Sequence, residues 1–317
     1  MHSILSKIKP GALGATRAST GSGRPPAAVE ITSMGVVAAA FPMHAATPLF
    51  AFQALPPDAI LPGTAEPNLA APQAVVSAIR SALDAVTPRS KAVTLILPDL
   101  SVRVFVLDFD SLPSRPAEAI ALIRFRLRKT VPFEVEEAAI SYQVLKENKT
   151  ECKVLAAVVP GPILTEYENA VHQAGYEPGA VLPSSLAAVA AINSTDAAMA
   201  ANLDEHTLTT VVTAGQDLLL FRTLELPIET TARQSEVQRD LSVAAAFFED
   251  KLQGRPLSLY ISCHGGIERF SEWIANPEPW LSEMKLIDIA PTPETGVVTA
   301  LGGASVAGVC GALAGGN

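Results

Sequence analysis

Few residues in this chain have the types and spacing that catalysis or metal binding requires. Cys263 and His264 form the one Cys–His adjacency, but neighbours on a strand point to opposite faces, so they cannot act as a thiolate–imidazole pair. The run from Gly303 to Ala307 departs from the GxSxG turn of hydrolases at its last position. No CxxC pair is present, and the histidines lack ligand spacing. The sequence therefore predicts no catalytic residue and no metal ligand.

A predicted helix between Pro116 and Pro132 carries a basic face. Its apolar residues Ile120, Ile123 and Leu127 form the opposite stripe. A basic face of this kind suits an acidic partner or the headgroups of a membrane surface, and a simply solvated face has the same pattern. The candidate partner contacts on this helix are Arg124, Arg128 and Lys129.

The composition is that of an acidic protein with aliphatic cores. The 317 residues are enough for about two domains. Hydrophobic residues make up 49% and charged residues 17%, which excludes a disordered chain. The formal net charge of -9 makes nucleic acid an unsuitable partner. Three widely spaced cysteines are typical of reduced thiols, and no secretion signal is visible at the start, so we expect a cytoplasmic protein.

The order of predicted elements indicates two related halves with a module inserted in the first. AAVEITS and GVVAAAF predict a hairpin, and a helix over 72–86 leads into the buried strand AVTLILP. Residues 93–175 are predicted as a small α+β module. A second hairpin, TLTTVVTA with DLLLFRTLEL, precedes a long helix from Thr231 to Leu252. The uncharged run from Gly296 to Gly315 could span a membrane by length, but its glycines and unanchored flanks favour a buried strand and helix.

Two long stretches carry a family resemblance. They are VTLILPDLSVRVFVLDFDSL with the following EAIALIRFRLRKTVPFEVEEAAISYQVL, and AAVVPGPILTEYENAVHQAGYEPGAVLPSSLAAV. The first resembles the inserted subdomain of PilM-like proteins, the actin-like cytoplasmic proteins of type IV pilus assembly, and the second resembles the segment that follows it. The ending SVAGVCGALAG is similar to the small-residue helix that closes such chains. The division protein FtsA and the secretion protein GspL are relatives that share the fold.

The resemblance implies an α/β, actin-like fold of two lobes, ribonuclease H-like and duplicated, with an inserted small α+β subdomain. The predicted divisions are a flexible tail (1–26), the first lobe in two parts (27–92 and 179–206), the inserted subdomain (93–178), the second lobe (207–290) and a C-terminal strand and helix that return to the first lobe (291–317).

The resemblance also implies a nucleotide cleft between the lobes, in which Gly, Ser and Thr turns wrap the phosphates and an Asp before each turn holds hydrated Mg²⁺. This chain departs from that pattern. In VEITSMGVV, Glu30 stands in place of Asp, Thr32 in place of Gly and Val37 in place of Lys. In TTVVTAGQDLLL no acid precedes the turn around Gly215. We therefore expect no metal, ATP bound weakly or not at all, and no hydrolysis. The residual nucleotide contacts, which ordinary tight turns would explain equally well, are Ser33, Gly35, Gly265 and Gly266.

By the same resemblance, the expected function is a PilM-like scaffold at the inner-membrane platform of type IV pilus assembly or related secretion. It would bind the cytoplasmic N-terminal tail of a PilN-like membrane protein, and through such partners it would be peripheral at the inner membrane. A platform ATPase and self-association are further expected partners. The alternative is an active, Mg-dependent actin-like ATPase in pilus assembly or cell division.

Overall fold

The computed structural model describes residues 24–314, apart from 149, 193, 195, 216, 275 and 276. The strands are β1 (Ala27–Ile31), β2 (Gly35–Ala40), β3 (Leu49–Ala54), β4 (Ala92–Leu97), β5 (Arg103–Phe109), β6 (Ala139–Glu147), β7 (Cys152–Val159), β8 (Glu177–Pro183), β9 (Ala197–Leu203), β10 (Thr207–Ala214), β11 (Asp217–Glu225), β12 (Ser258–Cys263) and β13 (Lys285–Asp288). The helices are α1 (Pro72–Ala85), α2 (Pro116–Leu127), α3 (Gly161–Gln173), α4 (Ser184–Val189), α5 (Thr230–Leu252), α6 (Gly266–Trp273), α7 (Pro279–Ser282) and α8 (Ala307–Ala314).

Two five-stranded sheets have the same strand order, which confirms the predicted duplication. The first sheet runs β3-β2-β1-β4-β8 and the second runs β11-β10-β9-β12-β13. In each sheet the central strand, β1 or β9, starts an antiparallel meander and also pairs in parallel with the fourth strand. Each sheet with its helices forms one lobe, so the chain has the predicted α/β fold of two duplicated lobes.

Small residues let helices pack closely on the first sheet. Every residue of β1 and β2 is buried, and alanine is the commonest residue of the two strands. On one face, α1 packs on β2 and β3 through Val75, Ile79 and Leu83. On the other face, α8 packs on β1 and crosses α4. A Cβ atom on Gly311 would lie 1.8 Å from the carbonyl oxygen of Ala187, so only glycine allows this crossing.

The glycine-rich C-terminal run packs on the first lobe: its helix is buried, whereas Val297 and Val298 before it are exposed. Residues 296–298 lie along the edge of the first sheet, where the Phe50 N–H donates to the Gly296 carbonyl and the Val298 N–H donates to the Phe50 carbonyl, both at 2.8 Å. Helix α8 follows, and its neighbours in the core include Ala28 of β1, Val37 and Ala39 of β2 and Ala187 of α4. Within the part of the chain described here, no helix is both long and apolar enough to cross a membrane.

The inserted subdomain is a three-stranded sheet in the order β5-β7-β6 with α2 on one face. It is smaller than the predicted 93–178. Strands β4 and β8, at the two ends of that range, pair with each other in the first sheet, and α3 packs on α1. The insertion therefore begins after Leu97 and ends before Gly161. Strands β4 and β8 are apolar and pair in parallel, as is typical of strands in a central sheet that is covered on both faces.

Two other predicted boundaries differ from the structure. The first lobe was expected to include 179–206, but β9 is the central strand of the second sheet. The alanine-rich sequence of β9, AAMAANL, lacks the β-branched and aromatic residues that mark strands in a sequence. The predicted flexible tail, residues 1–26, falls mostly outside the described residues. Its last part is ordered, because the buried Arg24 donates to the Gly311 carbonyl at 3.3 Å.

Candidate functional site

Two tight turns at equivalent positions of the two lobes face each other across a cleft. The first follows β1, where the Thr32 N–H donates to the Gly35 carbonyl at 2.9 Å. The second follows β9, where the Asp204 N–H donates to the Thr207 carbonyl, also at 2.9 Å. The cavity left between the lobes has a volume of about 50 Å³, which is room for a few water molecules.

The second turn is not the one predicted. Sequence reasoning placed it around Gly215, but that residue lies in the β10–β11 turn, at the opposite end of β10 from the cleft. The error arose because β9 was not recognised, which shifted the duplicated pattern by one strand. In the true second turn, Asn202 takes the position that Glu30 has in the first, two residues before the turn, and Asp204 is the first turn residue.

Ser33 and Gly35, predicted as nucleotide contacts, lie in the first turn but contact protein. The Ser33 hydroxyl donates to Oδ1 of Asp204 at 2.9 Å, which joins the two lobes directly. A Cβ atom on Gly35 would lie 2.5 Å from the ring of Phe52 and 2.4 Å from the Gln53 carbonyl oxygen. Gly35 is therefore required by the neighbouring strand β3, whose Phe52 covers it.

Gly265 and Gly266 form the predicted third turn, after β12, with φ angles of +82° and +64°. These angles suit glycine, which has no Cβ atom to clash in the left-handed region. The Gly265 N–H donates to the Gly303 carbonyl at 2.7 Å, so a segment of the same chain covers this turn. Gly266 faces the carboxyl group of Asp288, whose oxygens would lie 3.6 Å from a Cβ atom there.

Glu30 is buried at the junction of the two lobes. The Ser184 hydroxyl donates to its Oε1 at 2.5 Å, and the backbone of Gly308, in the first turn of α8, lies against its carboxyl group. Burial raises the pKa of Glu30 to about 7, since it removes water from the charged form. The hydrogen bond from Ser184 has the opposite, smaller effect on that pKa, and the negative charges of Asp99 and Asp204 raise it further.

Asp99, which sequence reasoning missed, is the acceptor of a buried network between the lobes. The Ser185 N–H donates to its Oδ1 at 3.0 Å, and the Ser185 hydroxyl donates to its Oδ2. From the second lobe, Thr209 donates to Oδ2 at 2.9 Å and the Asn202 amide does so at 3.4 Å. Burial raises the pKa of Asp99, and these donors lower it. Its place directly after the apolar strand β4 and Pro98 is the sequence signal that could have identified it.

Two hydrogen-bond donors of the cleft turns are engaged within the chain. The Ser33 hydroxyl and the Gly265 N–H already have acceptors within the chain. The carboxyl groups that line the cleft would repel phosphate. Among the described residues, no group of three or more His, Cys, Asp or Glu side chains could hold a metal ion.

Comparison with known proteins identifies the fold. No family model and no curated protein matches the sequence. Among solved structures, the PilM–PilN type IV pilus biogenesis complex matches with a TM-score of 0.69 at 17% identity, over 92% of this chain and 98% of that chain. The chain has the actin-like fold seen in PilM.

Two further structures match more distantly. The cytoplasmic domain of EpsL, an inner-membrane component of the type II secretion system of Vibrio cholerae, has a TM-score of 0.48 at 13% identity, over 86% of this chain and 90% of that domain. A Bacteroides thetaiotaomicron protein of unknown function with an actin-like ATPase fold has a TM-score of 0.47 at 11% identity, over 90% and 94% of the two chains.

The basic helix α2 of this PilM-like fold uses its arginines in different ways. The Arg124 guanidinium donates to the carbonyls of Val135, Glu136 and Ala138, which fixes the loop between α2 and β6. Arg128 forms an ion pair with Glu136 at 2.5 Å. Lys129 is exposed. Of the three predicted partner contacts, Arg124 therefore has a structural role, Arg128 is paired within the chain and Lys129 faces solvent.

Proposed function

We propose that this chain is a PilM-like scaffold of an inner-membrane platform for type IV pilus assembly or related secretion. It binds the cytoplasmic N-terminal tail of a PilN-like membrane protein. The observation that supports this proposal best is the likeness to PilM in the PilM–PilN complex, which covers 92% of this chain and 98% of PilM. Both lobes and the inserted subdomain are included in so long a match.

We further propose that the scaffold is not an enzyme and does not use nucleotide. Phosphoryl transfer depends on a phosphate cradle, a metal ion and a positioned water acting together. In this chain, turn residues of one lobe form hydrogen bonds with residues of the other. Ser33 contacts Asp204, and Gly265 contacts Gly303. The lobes are thus held together by protein contacts where a nucleotide would otherwise bridge them.

On this proposal the protein is cytoplasmic and reaches the inner membrane through its partners. The three cysteines are unpaired, which agrees with a reducing compartment. A platform ATPase as a second partner, and self-association, remain predictions that the surface of one chain does not test.

A peptide-capture experiment with and without nucleotide tests both parts of the proposal. Synthetic peptides of the cytoplasmic tails of neighbouring inner-membrane proteins would be immobilised, with scrambled peptides as the control. We expect one tail to capture the full chain, equally well with and without Mg-ATP. If no tail peptide captured the chain, the proposed scaffold function would be contradicted.

Thermal unfolding with Mg-ATP separates the scaffold from the alternative, an active ATPase. A ligand at 100 times its dissociation constant adds about 2.7 kcal/mol to stability. We expect no shift of the melting temperature at millimolar Mg-ATP and no release of phosphate. A large shift accompanied by turnover would support the ATPase instead.

A further inference from the structure

The outer face of α2 carries an exposed aromatic side chain. Phe125 is 68% exposed. Ile123 and Leu127, two residues to either side of it, are buried in the core of the inserted subdomain. Because residues two apart on a helix point in nearly opposite directions, Phe125 points away from the subdomain into solvent. Its ring contributes nothing to that core and is available to a partner.

Two cations without an ion pair lie on the same side of the helix as Phe125. Lys129 is four positions further along, and Arg126 is the next residue. Both are exposed, and neither forms a salt bridge with any of the residues that the structure describes. Glu118, the one acidic residue of α2, is paired with Arg115 at 3.1 Å. The outer face of α2 therefore has an excess of positive charge.

The acidic loop that follows α2 lies on one flank of the helix only. Arg124 donates to the carbonyls of this loop and Arg128 pairs with Glu136, and these two arginines are one turn apart on the same flank. Since Arg126 is two positions from each of them, it lies on the other flank. The groove lined by Arg128 and residues 131–136 is on the loop side and contains two glutamates. This groove would repel an acidic peptide.

A negatively charged lipid surface suits the outer face of α2 better than an acidic peptide does. The face is the convex side of a helix, and the groove beside it lies on the acidic flank. Anionic headgroups attract Lys and Arg, and an aromatic ring is favourable at the boundary between headgroups and acyl chains. The net charge of -9 opposes such binding only weakly at physiological salt, since charges more than about 8 Å away are largely screened.

We propose that the outer face of α2 docks on anionic phospholipid at the cytoplasmic surface of the inner membrane: Arg126 and Lys129 bind the headgroups and Phe125 inserts between them. This contact adds to those that the scaffold makes through its protein partners. It rests on the proposed location at the inner membrane, but lipid vesicles test it without any partner, so its outcome is independent of peptide capture.

Co-sedimentation of the full chain with vesicles tests the contact. We expect binding to vesicles that contain phosphatidylglycerol, weaker binding as the salt concentration rises, and no binding to phosphatidylcholine alone. One Lys or Arg near an anionic surface changes binding about fivefold, so Arg126→Gln combined with Lys129→Gln should weaken it about 25-fold. Phe125→Ala should weaken binding without changing its salt dependence, because it removes an apolar contact only.

Matched control variants remove the same kinds of group from the second lobe. Lys251→Gln combined with Arg255→Gln changes the net charge equally, at two exposed positions. Leu257→Ala removes an apolar side chain that is 82% exposed. These variants should bind vesicles as the wild-type chain does. All the substituted side chains are exposed, so thermal melts should show that every variant stays folded.

Three outcomes would overturn the proposal. The first is that the wild-type chain does not bind anionic vesicles; if it then bound a polyglutamate peptide through Arg126 and Lys129, the face would belong to an acidic protein. The second is an equal loss in the α2 variants and the controls, which would indicate an effect of net charge. The third is unchanged binding in the α2 variants, which would place the lipid contact elsewhere, such as at Lys7 and Lys9.

Discussion

Arg124 shows how one side chain on a basic helix can serve the fold rather than a partner. Its guanidinium donates to three carbonyl oxygens of the loop between α2 and β6. These carbonyls have no neighbouring strand to pair with, and Arg124 satisfies them. The loop places Val135 and Ala138 in the core of the inserted subdomain, so the arginine contributes to packing through the loop that it holds.

We expect Arg124→Ala to destabilise the protein, whereas Arg126→Ala, two residues away on the exposed side, should be nearly neutral. Hydrogen bonds from a charged donor contribute about 1.5–3 kcal/mol each, so a loss of about 2 kcal/mol or more is expected for Arg124. Exposed substitutions usually stay within about 0.5 kcal/mol. Urea denaturation of the two variants measures the difference. Equal stabilities would show that the carbonyls are satisfied by water.

Sequence reasoning located the glycine and serine turns of the cleft, but not their contacts. Ser33, Gly35 and Gly265 do lie at the lobe junction, because turn chemistry is local and visible in a few residues. Their partners are distant in sequence, since Ser33 bonds to a residue 171 positions away. No local pattern indicates that a serine will bond to Asp204 rather than to a ligand. The sequence therefore predicts the turns of the cleft but not the residues that bond to them.

At the scale of elements, the crossing of α4 and α8 explains the glycine and alanine content of the C-terminus. The backbones approach so closely that a methyl group at Gly311 would overlap the Ala187 carbonyl. Sequence reasoning favoured a buried strand and helix in this region; the helix is buried, but the segment before it makes only an isolated bridge to β3 and exposes Val297 and Val298. Sequence reasoning missed β9, because an alanine-rich strand becomes a strand through its pairing with β10 and β12 rather than through its own propensity.

The Gly311→Ala substitution should lower the free energy of unfolding in spite of alanine's higher helix propensity. Overpacking costs about 1–3 kcal/mol or more, which outweighs the gain of about 1 kcal/mol from replacing glycine within a helix. Gly63→Ala is the control, because a Cβ atom at Gly63 meets nothing within 4 Å. Thermal melts of both variants distinguish these effects, and a stabilised Gly311→Ala would mean that the helices can move apart freely.

At the scale of the whole molecule, Asn202 joins the two lobes into one unit. Its amide donates to Ser184 at 3.1 Å and to Ser185 at 3.0 Å, both at the start of α4 in the first lobe. Because Asn202 itself lies on β9, these bonds cross the lobe junction. The wild-type lobes should therefore unfold together.

We expect Asn202→Ala to separate the unfolding of the lobes and to cost about 1–3 kcal/mol, since buried partners lose their hydrogen bonds. The only tryptophans, Trp273 and Trp280, lie in the second lobe, so their fluorescence reports that lobe, while circular dichroism reports both. The two signals should coincide in wild type and diverge in the variant. Ser242→Ala, which removes a bond within α5, is the control, and coincident signals in Asn202→Ala would contradict the coupling.

The inserted sheet is covered on both sides, by α2 on one face and on the other by a core that both lobes share, where β5 lies beside β11 of the second lobe. Leu155 and Ala157 of β7 belong to this shared core, whereas Val154 and Ala156 pack under α2. The inserted subdomain therefore cannot rotate freely about its two connections to the first lobe, because any rotation would expose one of its apolar faces to water. A pull on α2 from outside would consequently be transmitted as strain to the central strands.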